Sequence, residues 1–517
     1  MLAKVINQLN GQKRAMNIFE GAKLTGVFFS IEGKEVPGEL NFLGKQTSLI
    51  LRHSEPFNFG YCIHGILYGQ DNIFRQKVTL IHCTKILFSS NPIKGHEFFS
   101  QNIFFHYAII GNDHIKHDEK SITQIRFLIN DSSILFYAVN AFGTLLAPIE
   151  SIEEFIRLHT KNLDREVVIG SDPQLLYFSG KHEIFSTDTI LGTISAWHRP
   201  NFNFGGPEGV CIRNTIFIDI TFKEVIFFDE SINSIDIVIQ FFEMLIGRPQ
   251  NINEIELIIE SKNDIPKIIN VYPTMWPQYG ASNYERKSSP SEILINPILD
   301  SEKFSSILIN WLDKNSTWCD ARSRFFTSFR DGNTYGIDRL IRSANMFDII
   351  PSSAFSDKLN LPEELKSAKD ECSAIFKKLP SSPERDSVLS TLGRIGKMSL
   401  KNKVRQRLNI ILNVVSSNFP DLIKVTDEAV NCRNYYVHGS ESKIDYNKHF
   451  NIILPFLINT LEFVFAASEL VEAGWDIKSW CQKETIMFHP FNQYRINYRN
   501  NLEKLNFLLS SNQKNKA

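Results

Sequence analysis

Paired cysteines are missing from this chain. Its seven cysteines (Cys62, Cys83, Cys211, Cys319, Cys372, Cys432 and Cys481) are odd in number and scattered along 517 residues, with no C-x-x-C pair. That spacing argues against a secreted disulfide framework and against a zinc finger, and a reducing cytoplasm is the simplest setting. Excess charge is missing as well. With a net charge of -1 the chain has no global pull toward nucleic acid or anionic membrane, so any such affinity must come from a local patch. Uninterrupted apolar runs are few: the most apolar, Ile452 to Ala467, is broken by Pro455, Asn459 and Glu462, and Met1 to Asn10 has no signal-peptide core. The expectation is a cytoplasmic protein with no membrane partner. Nucleotide-binding loops are not found either. Six residues separate Gly26 from Gly33 where a Walker loop needs four, and Gly205 to Gly209 has no phosphate-cradling context, so no cofactor is expected.

What is present falls into two halves. From about Lys23 to Phe142, short runs rich in Phe, Ile and Val are separated by Gly, Asn, Asp and Ser, the pattern of an antiparallel sandwich or barrel; Ile134 to Val139 reads as one of these strands. An amphipathic helix follows over about Pro148 to Asn162. A second β-rich stretch runs from Glu166 to about Glu260, with Asn214 to Phe222 and Glu224 to Phe228 reading as a tight hairpin around Lys223. Within it Ser234 is placed to cap a helix that Gly247 stops. Val271 to Pro297, dense in Pro, Ser and Gly, has the composition of a linker or lid.

Beyond that linker the apolar period changes from 2 to 3.6. Helices are expected at Ser301 to Lys314, Thr317 to Phe329, Tyr335 to Ile349, Pro362 to Lys378, Pro383 to Ile395, Ser399 to Ser417, Asp421 to His438, Asp445 to Ala473 and Phe491 to Leu509. The fold class is therefore α+β, a β-rich, sandwich-like N-terminal region followed by an all-α bundle. The expected domains are 1-298, with sub-domains at about 20-165 and 166-270, and 299-517.

Chemistry concentrates at Cys432-Arg433-Asn434-Tyr435-Tyr436-Val437-His438-Gly439. Arginine supplies a permanent forked cation suited to phosphate, and histidine takes and gives protons near neutrality. At about 100° per residue, Asn434 and His438 share a helix face, whereas Arg433 lies about 140° from His438. Asn434 is thus expected to orient the imidazole, and a two-fold pair of chains is expected to bring Arg433 of one copy to His438 of the other. Gly439 fits the C′ position. Capping cations near a helix end are common, so spacing alone leaves a purely structural role open.

A second feature is basic. Arg394, Lys397, Lys401, Lys403, Arg405 and Arg407 occur with no acidic residue between Asp386 and Asp421, a concentration suited to phosphate contacts or to a solvated helix face. Lys401, Lys403, Arg405, Arg407 and Tyr436 are the candidate substrate contacts. On a neighbouring helix Tyr335, Asp338, Arg339, Arg342 and Asp348 read as a surface ion-pair network. Asp219 with Glu260-Ser261-Lys262 only loosely imitates a metal-dependent nuclease, and His114 and His117 with Asp113 and Asp118 read as a loop; no metal ligand is assigned.

Arg433-Asn434-x-x-x-His438 resembles the R-(N/D/H)-x-x-x-H signature of HEPN domains, four- to five-helix bundles that dimerise and in many members cut RNA without a metal. Val36 to Phe42, Ile63 to Gly69 and Val78 to Cys83 resemble the β-rich N-terminal domain of the ApeA family of bacterial abortive-infection proteins. The resemblance implies an antiphage endoribonuclease acting as a homodimer or higher even oligomer, on RNA and by analogy transfer RNA, with a phage-derived trigger at the N-terminal domain. His438 and Arg433 would be catalytic, with Asn434 holding His438 or a phosphate oxygen. The products would be a 2′,3′-cyclic phosphate and a 5′-hydroxyl. The alternative is a non-catalytic RNA- or ligand-binding adaptor with a dimerising bundle.

Overall fold

The computed structural model describes residues 21–29, 34–55, 65–93, 96–116, 118–145, 148–160, 168–203, 207, 209–260, 266–274, 289–355, 362–396, 398–484 and 487–514. Several sequence expectations lie outside them: most of the Val271 to Pro297 linker, His117, Lys397, Ser261, Lys262 and most of the Gly205 to Gly209 loop. Two compact units form, one drawn from Met1–Ile239, Gln250–Tyr279 and Asn296–Ser301, the other from Gln240–Pro249, Gly280–Ile295 and Glu302–Ala517.

In the first unit 14 of the described strands share one antiparallel ladder, and Phe142–Leu145 pairs with Leu175–Phe178 in a separate sheet. The ladder runs from Glu183–Asp188 through Thr193–Asn203, Cys211–Ile226, Ile122–Ile129, Ile252–Ile259, Lys267–Pro273, Tyr107–Gly111, Lys77–Ile81, Leu67–Asp71, Lys23–Phe29, Glu35–Asn41, Ser48–His53 and His96–Phe104 to Thr84–Ile93. Alternation dictates it: Leu24 and Phe28 of Lys23–Phe29 are buried with Val36, Leu40, Leu49, Leu51, Val78 and Leu80 in one apolar cluster. Gly38 sits in this cluster because a Cβ there would come within 2.7 Å of the Phe28 ring. The antiparallel pairing agrees with the β-rich reading of the sequence, but the order does not follow the chain: Cys211–Ile226 lies beside Ile122–Ile129, and Lys267–Pro273 beside Tyr107–Gly111.

Three local expectations fail. Cys211–Ile226 is a single strand through Lys223, paired with Thr193–Asn203 from Asn203↔Cys211 to Thr193↔Thr221, so no hairpin turns there. A two-residue hairpin needs positive φ at its centre, and Lys223-Glu224 supplies neither Gly nor Asn. Ile134 to Val139 is not a strand either: Ser132–Leu135 is a helical turn, since a short apolar run reads the same way in both states. The helix α1, Ile149–Thr160, lies where expected. The next, α2, spans Phe228–Ile246, so Ser234 is inside it and its hydroxyl donates to the Glu230 carbonyl instead of capping. Gly247 does end it, with φ +87°.

The second unit is helical, with α3 (Ser301–Asp313), α4 (Asn315–Phe329), α5 (Ile337–Asp348), α6 (Glu363–Lys377), α7 (Pro383–Arg394), α8 (Leu400–Val415), α9 (Leu422–His438), α10 (Phe450–Glu472), α11 (Ile477–Gln482) and α12 (Pro490–Lys514). The α10 helix is long and apolar enough to cross a membrane, yet most of it is buried inside this unit. Each fully buried Leu, Ile or Phe along it contributes about 1.5–3 kcal/mol. Its carboxylates explain why it is a core helix. Glu462 receives Arg339 of α5 through Nε at 2.9 Å and Nη2 at 2.8 Å, and Glu469 receives Arg322 of α4. Glu472 receives Arg407 of α8 at 2.7 Å. These buried pairs fix α4, α5 and α8 around α10, and so fix what surrounds α9.

Candidate functional site

The helix α9 begins abruptly after Pro420, with Asp421 in the left-handed region at φ +56° and without a side-chain cap. Leu422, Val425, Ala429 and Cys432, at helical spacing, are buried, which turns the remaining faces outward. Gly439 closes it at φ +65°, its N–H donating to the Tyr435 carbonyl at 3.0 Å. His438 therefore occupies the last turn and is exposed, while Arg433 is half-buried one turn inside.

Within one chain these two side chains meet. Arg433 Nη1 lies 3.0 Å from His438 Nε2, and the same nitrogen donates to Asn434 Oδ1 at 3.1 Å. Arg433 Nη2 donates to Asn345 Oδ1 of α5 at 3.0 Å. The expectation that the 140° offset makes a one-chain pairing awkward is thus corrected: Arg433 does reach around, because a side chain as long as arginine spans the angle that separates the two Cα positions. Asn434 is corrected too: it contacts Arg433, not the imidazole. Asn345 was missed by the sequence argument. It stands seven residues after Asp338, on the same face of α5, and is a polar position between buried Ala344 and buried Met346. Asp338 itself is exposed, and Arg339 is committed to Glu462.

Aromatic and thiol groups complete the neighbourhood. Tyr436 donates to Asn447 Oδ1 at 3.2 Å and packs edge-on against Tyr435 at 5.1 Å; burial first, then neighbouring Cys432, pushes its hydroxyl up to about 12. Burial, with the charge of Glu428, pushes the Cys432 thiol up to about 12, which leaves it an inert packing group.

The basic residues separate by environment. Lys401 reaches Asn431 of α9 at 3.2 Å and Lys403 reaches the Asp348 carbonyl at 2.7 Å. Arg405 forks onto Asp427 of α9, with Nε at 2.9 Å from Oδ1. Arg407 is fully buried, bonded to Ser468 and Glu472 and lying over the Trp318 ring at 5.1 Å. No phosphate can reach it, and it leaves the set of candidate substrate contacts. Asp219 is likewise structural, held by Arg126 at 2.7 and 2.8 Å.

Two family models match the chain. ApeA N-terminal domain 1 matches residues 23–311, more than half of the 517, and Apea-like HEPN matches residues 341–478, which contain α8, α9 and α10. No curated protein and no solved structure gives a significant match.

Proposed function

The chain belongs to the ApeA family, with an ApeA N-terminal domain and an Apea-like HEPN domain, and on that premise we propose that it is an antiphage endoribonuclease whose reacting groups are Arg433 and His438. The family carries an antiphage-defence, nuclease-type role, and HEPN domains are generally of ribonuclease type, commonly dimeric and RNA-binding. One observation supports this reading above the others: a guanidinium and an imidazole nitrogen in contact at an exposed helix end, with the guanidinium held by two amide oxygens.

A scissile phosphate entering here takes Arg433 donors on its non-bridging oxygens. The 2′-hydroxyl gives its proton to His438 Nε2, O2′ bonds to phosphorus, charge builds on the phosphorane beside Arg433, and the P–O5′ bond breaks. The 5′-oxygen takes its proton from the imidazolium of a second His438, and the products are a 2′,3′-cyclic phosphate and a 5′-hydroxyl. Since base and cation come from one chain, a dimer is not needed to join Arg433 to His438; a second copy would supply a second His438 as the acid. Transfer RNA is the proposed substrate class, a phage-derived trigger at the N-terminal domain the proposed activator, and the cytoplasm the proposed location.

The test is RNA cleavage in EDTA by the full chain and by His438→Ala, with product ends mapped. Cutting by the wild type that drops at least 100-fold in the variant, at unchanged melting temperature, supports the reading. Equal cutting by both sinks it.

A further inference from the structure

A cleft of about 880 Å³ runs along α9 on the side that carries Lys424, Asp427 and Asn431, with Lys401, Lys443 and Tyr446 among its other lining residues. That volume falls in the range of small-ligand and cofactor sites, about 300–1,000 Å³. Helical geometry ties it to the motif. Taking about 100° per residue, Lys424, Asp427 and Asn431 all lie within roughly 40° of His438 around the helix axis, and Asn431 is about 10 Å from it along the axis. The cleft and His438 thus occupy one continuous stripe, whereas Arg433 approaches from the side.

Its charged lining is mixed: Lys401, Lys424 and Lys443 stand beside Asp421, Asp427, Glu428 and Glu441, of which Asp427 is paired with Arg405. Glu428 and Tyr446 are buried, with the Tyr446 hydroxyl donating to Glu428 Oε1 at 2.6 Å and Asn431 Nδ2 donating to Oε2 at 3.2 Å. Each carboxylate oxygen keeps a lone pair for a further donor. The ammonium groups of Lys424 and Lys443 are on exposed residues, and Lys401 is half-exposed. Leu412 and Leu509 add apolar surface. The buried acceptors of Glu428 and the apolar wall suit a base that presents N–H donors, with the three lysines placed to meet its phosphates.

We propose that this cleft binds a nucleotide of the RNA substrate roughly one or two positions from the phosphate at Arg433 and His438, and favours a base that presents N–H donors. The proposal rests on the ribonuclease reading above, and deepens it by giving the enzyme a sequence-reading subsite. Lys401, a candidate contact from the sequence, then acts at the edge of this cleft through Asn431.

Two measurements on the full chain separate the ideas. In the first, wild type and a Lys424→Ala/Asn431→Ala variant, both at exposed positions, cut a pool of randomised RNA oligonucleotides whose ends are sequenced. The expected result is a base preference beside the cut that flattens about tenfold in the variant at unchanged melting temperature; an identical profile and rate overturns the proposal. In the second, His438→Ala is photocrosslinked to oligonucleotides carrying 6-thioguanosine or 4-thiouridine. Adducts within residues 421–431 or 441–446 support the cleft, and adducts confined elsewhere overturn it. Crosslinks in the cleft without any cutting by the wild type would sink the ribonuclease reading and keep the cleft; cutting with neither a preference change nor cleft adducts would do the reverse.

Discussion

Arg433 Nη1 and His438 Nε2, five residues apart on one helix, are 3.0 Å from each other. A guanidinium has only donors, so Nε2 is the acceptor and the imidazole carries its proton on Nδ1, the form able to take a proton from a hydroxyl. On the proposed mechanism a substrate replaces this contact: a phosphate draws the guanidinium to its oxygens, and the 2′-hydroxyl occupies the place at Nε2. Asn434 and Asn345 hold the fork of Arg433 in reach of both states. The proposed catalytic arrangement thus draws on a residue from another helix.

That dependence makes Asn345 a positioning residue with a measurable effect. Losing one hydrogen bond to a charged group is worth about 1.5 kcal/mol, or roughly tenfold. Asn345→Ala should lower single-turnover kcat about tenfold with little change in KM, and Asn345→Asp, which keeps an acceptor at the same place, should recover most of it. Equal kcat for wild type and Asn345→Ala would show that Arg433 needs no support from α5.

Lys401 and Arg407, six residues apart on α8, should respond oppositely to removal. Lys401→Ala should leave stability within about 0.5 kcal/mol and reduce the salt dependence of RNA binding by about one unit of slope. Arg407→Ala removes a buried cation and its packing on Trp318, and should cost about 3 kcal/mol in urea unfolding. A stable Arg407→Ala protein with weakened RNA binding would contradict the burial argument.

Glu462 is the anion that holds Arg339, and with it the helix carrying Asn345. Glu462→Gln leaves that buried guanidinium without a counter-charge and should destabilise the helical unit by about 4 kcal/mol. Denaturation monitored by circular dichroism reads this directly. A change under 1 kcal/mol would mean that the Gly332 and Thr334 carbonyls, which also accept from Arg339, satisfy it alone.

What could be read in advance follows from which forces are local. The α+β class and the end of α9 at Gly439 are written in period and in glycine, both properties of neighbouring residues. The burial of Arg407 was also legible, though by position and not by charge: Val404, Arg407, Leu408 and Ile411 form one helical stripe, and the other three are buried. The Arg433–His438 contact was not, because angles about a helix axis locate Cα atoms and say nothing of how far a long side chain reaches. Nor was the partnership with Asn345, which depends on how α5 is pinned to α10 through Glu462. The uninterrupted strand at Lys223 follows from the lack of a residue there suited to positive φ.

His489 makes acid sensitivity of the helical unit a further expectation. It is completely buried, its Nδ1 accepting from the Phe491 N–H at 3.0 Å and its Nε2 donating to the Met244 carbonyl at 3.1 Å, so both nitrogens are used by the neutral ring. Burial pushes its pKa down from 6.5 to about 4. A depressed folded-state pKa means that between those values the unfolded chain binds the proton and the folded one does not. The stabilisation is complete above pH 6.5 and is lost as pH falls toward 4, by about 3 kcal/mol over that window. Unfolding free energies measured from pH 7.5 to pH 4.5 should therefore fall more steeply for wild type than for His489→Gln, which accepts and donates without titrating. Parallel pH curves for the two proteins would remove His489 as the cause.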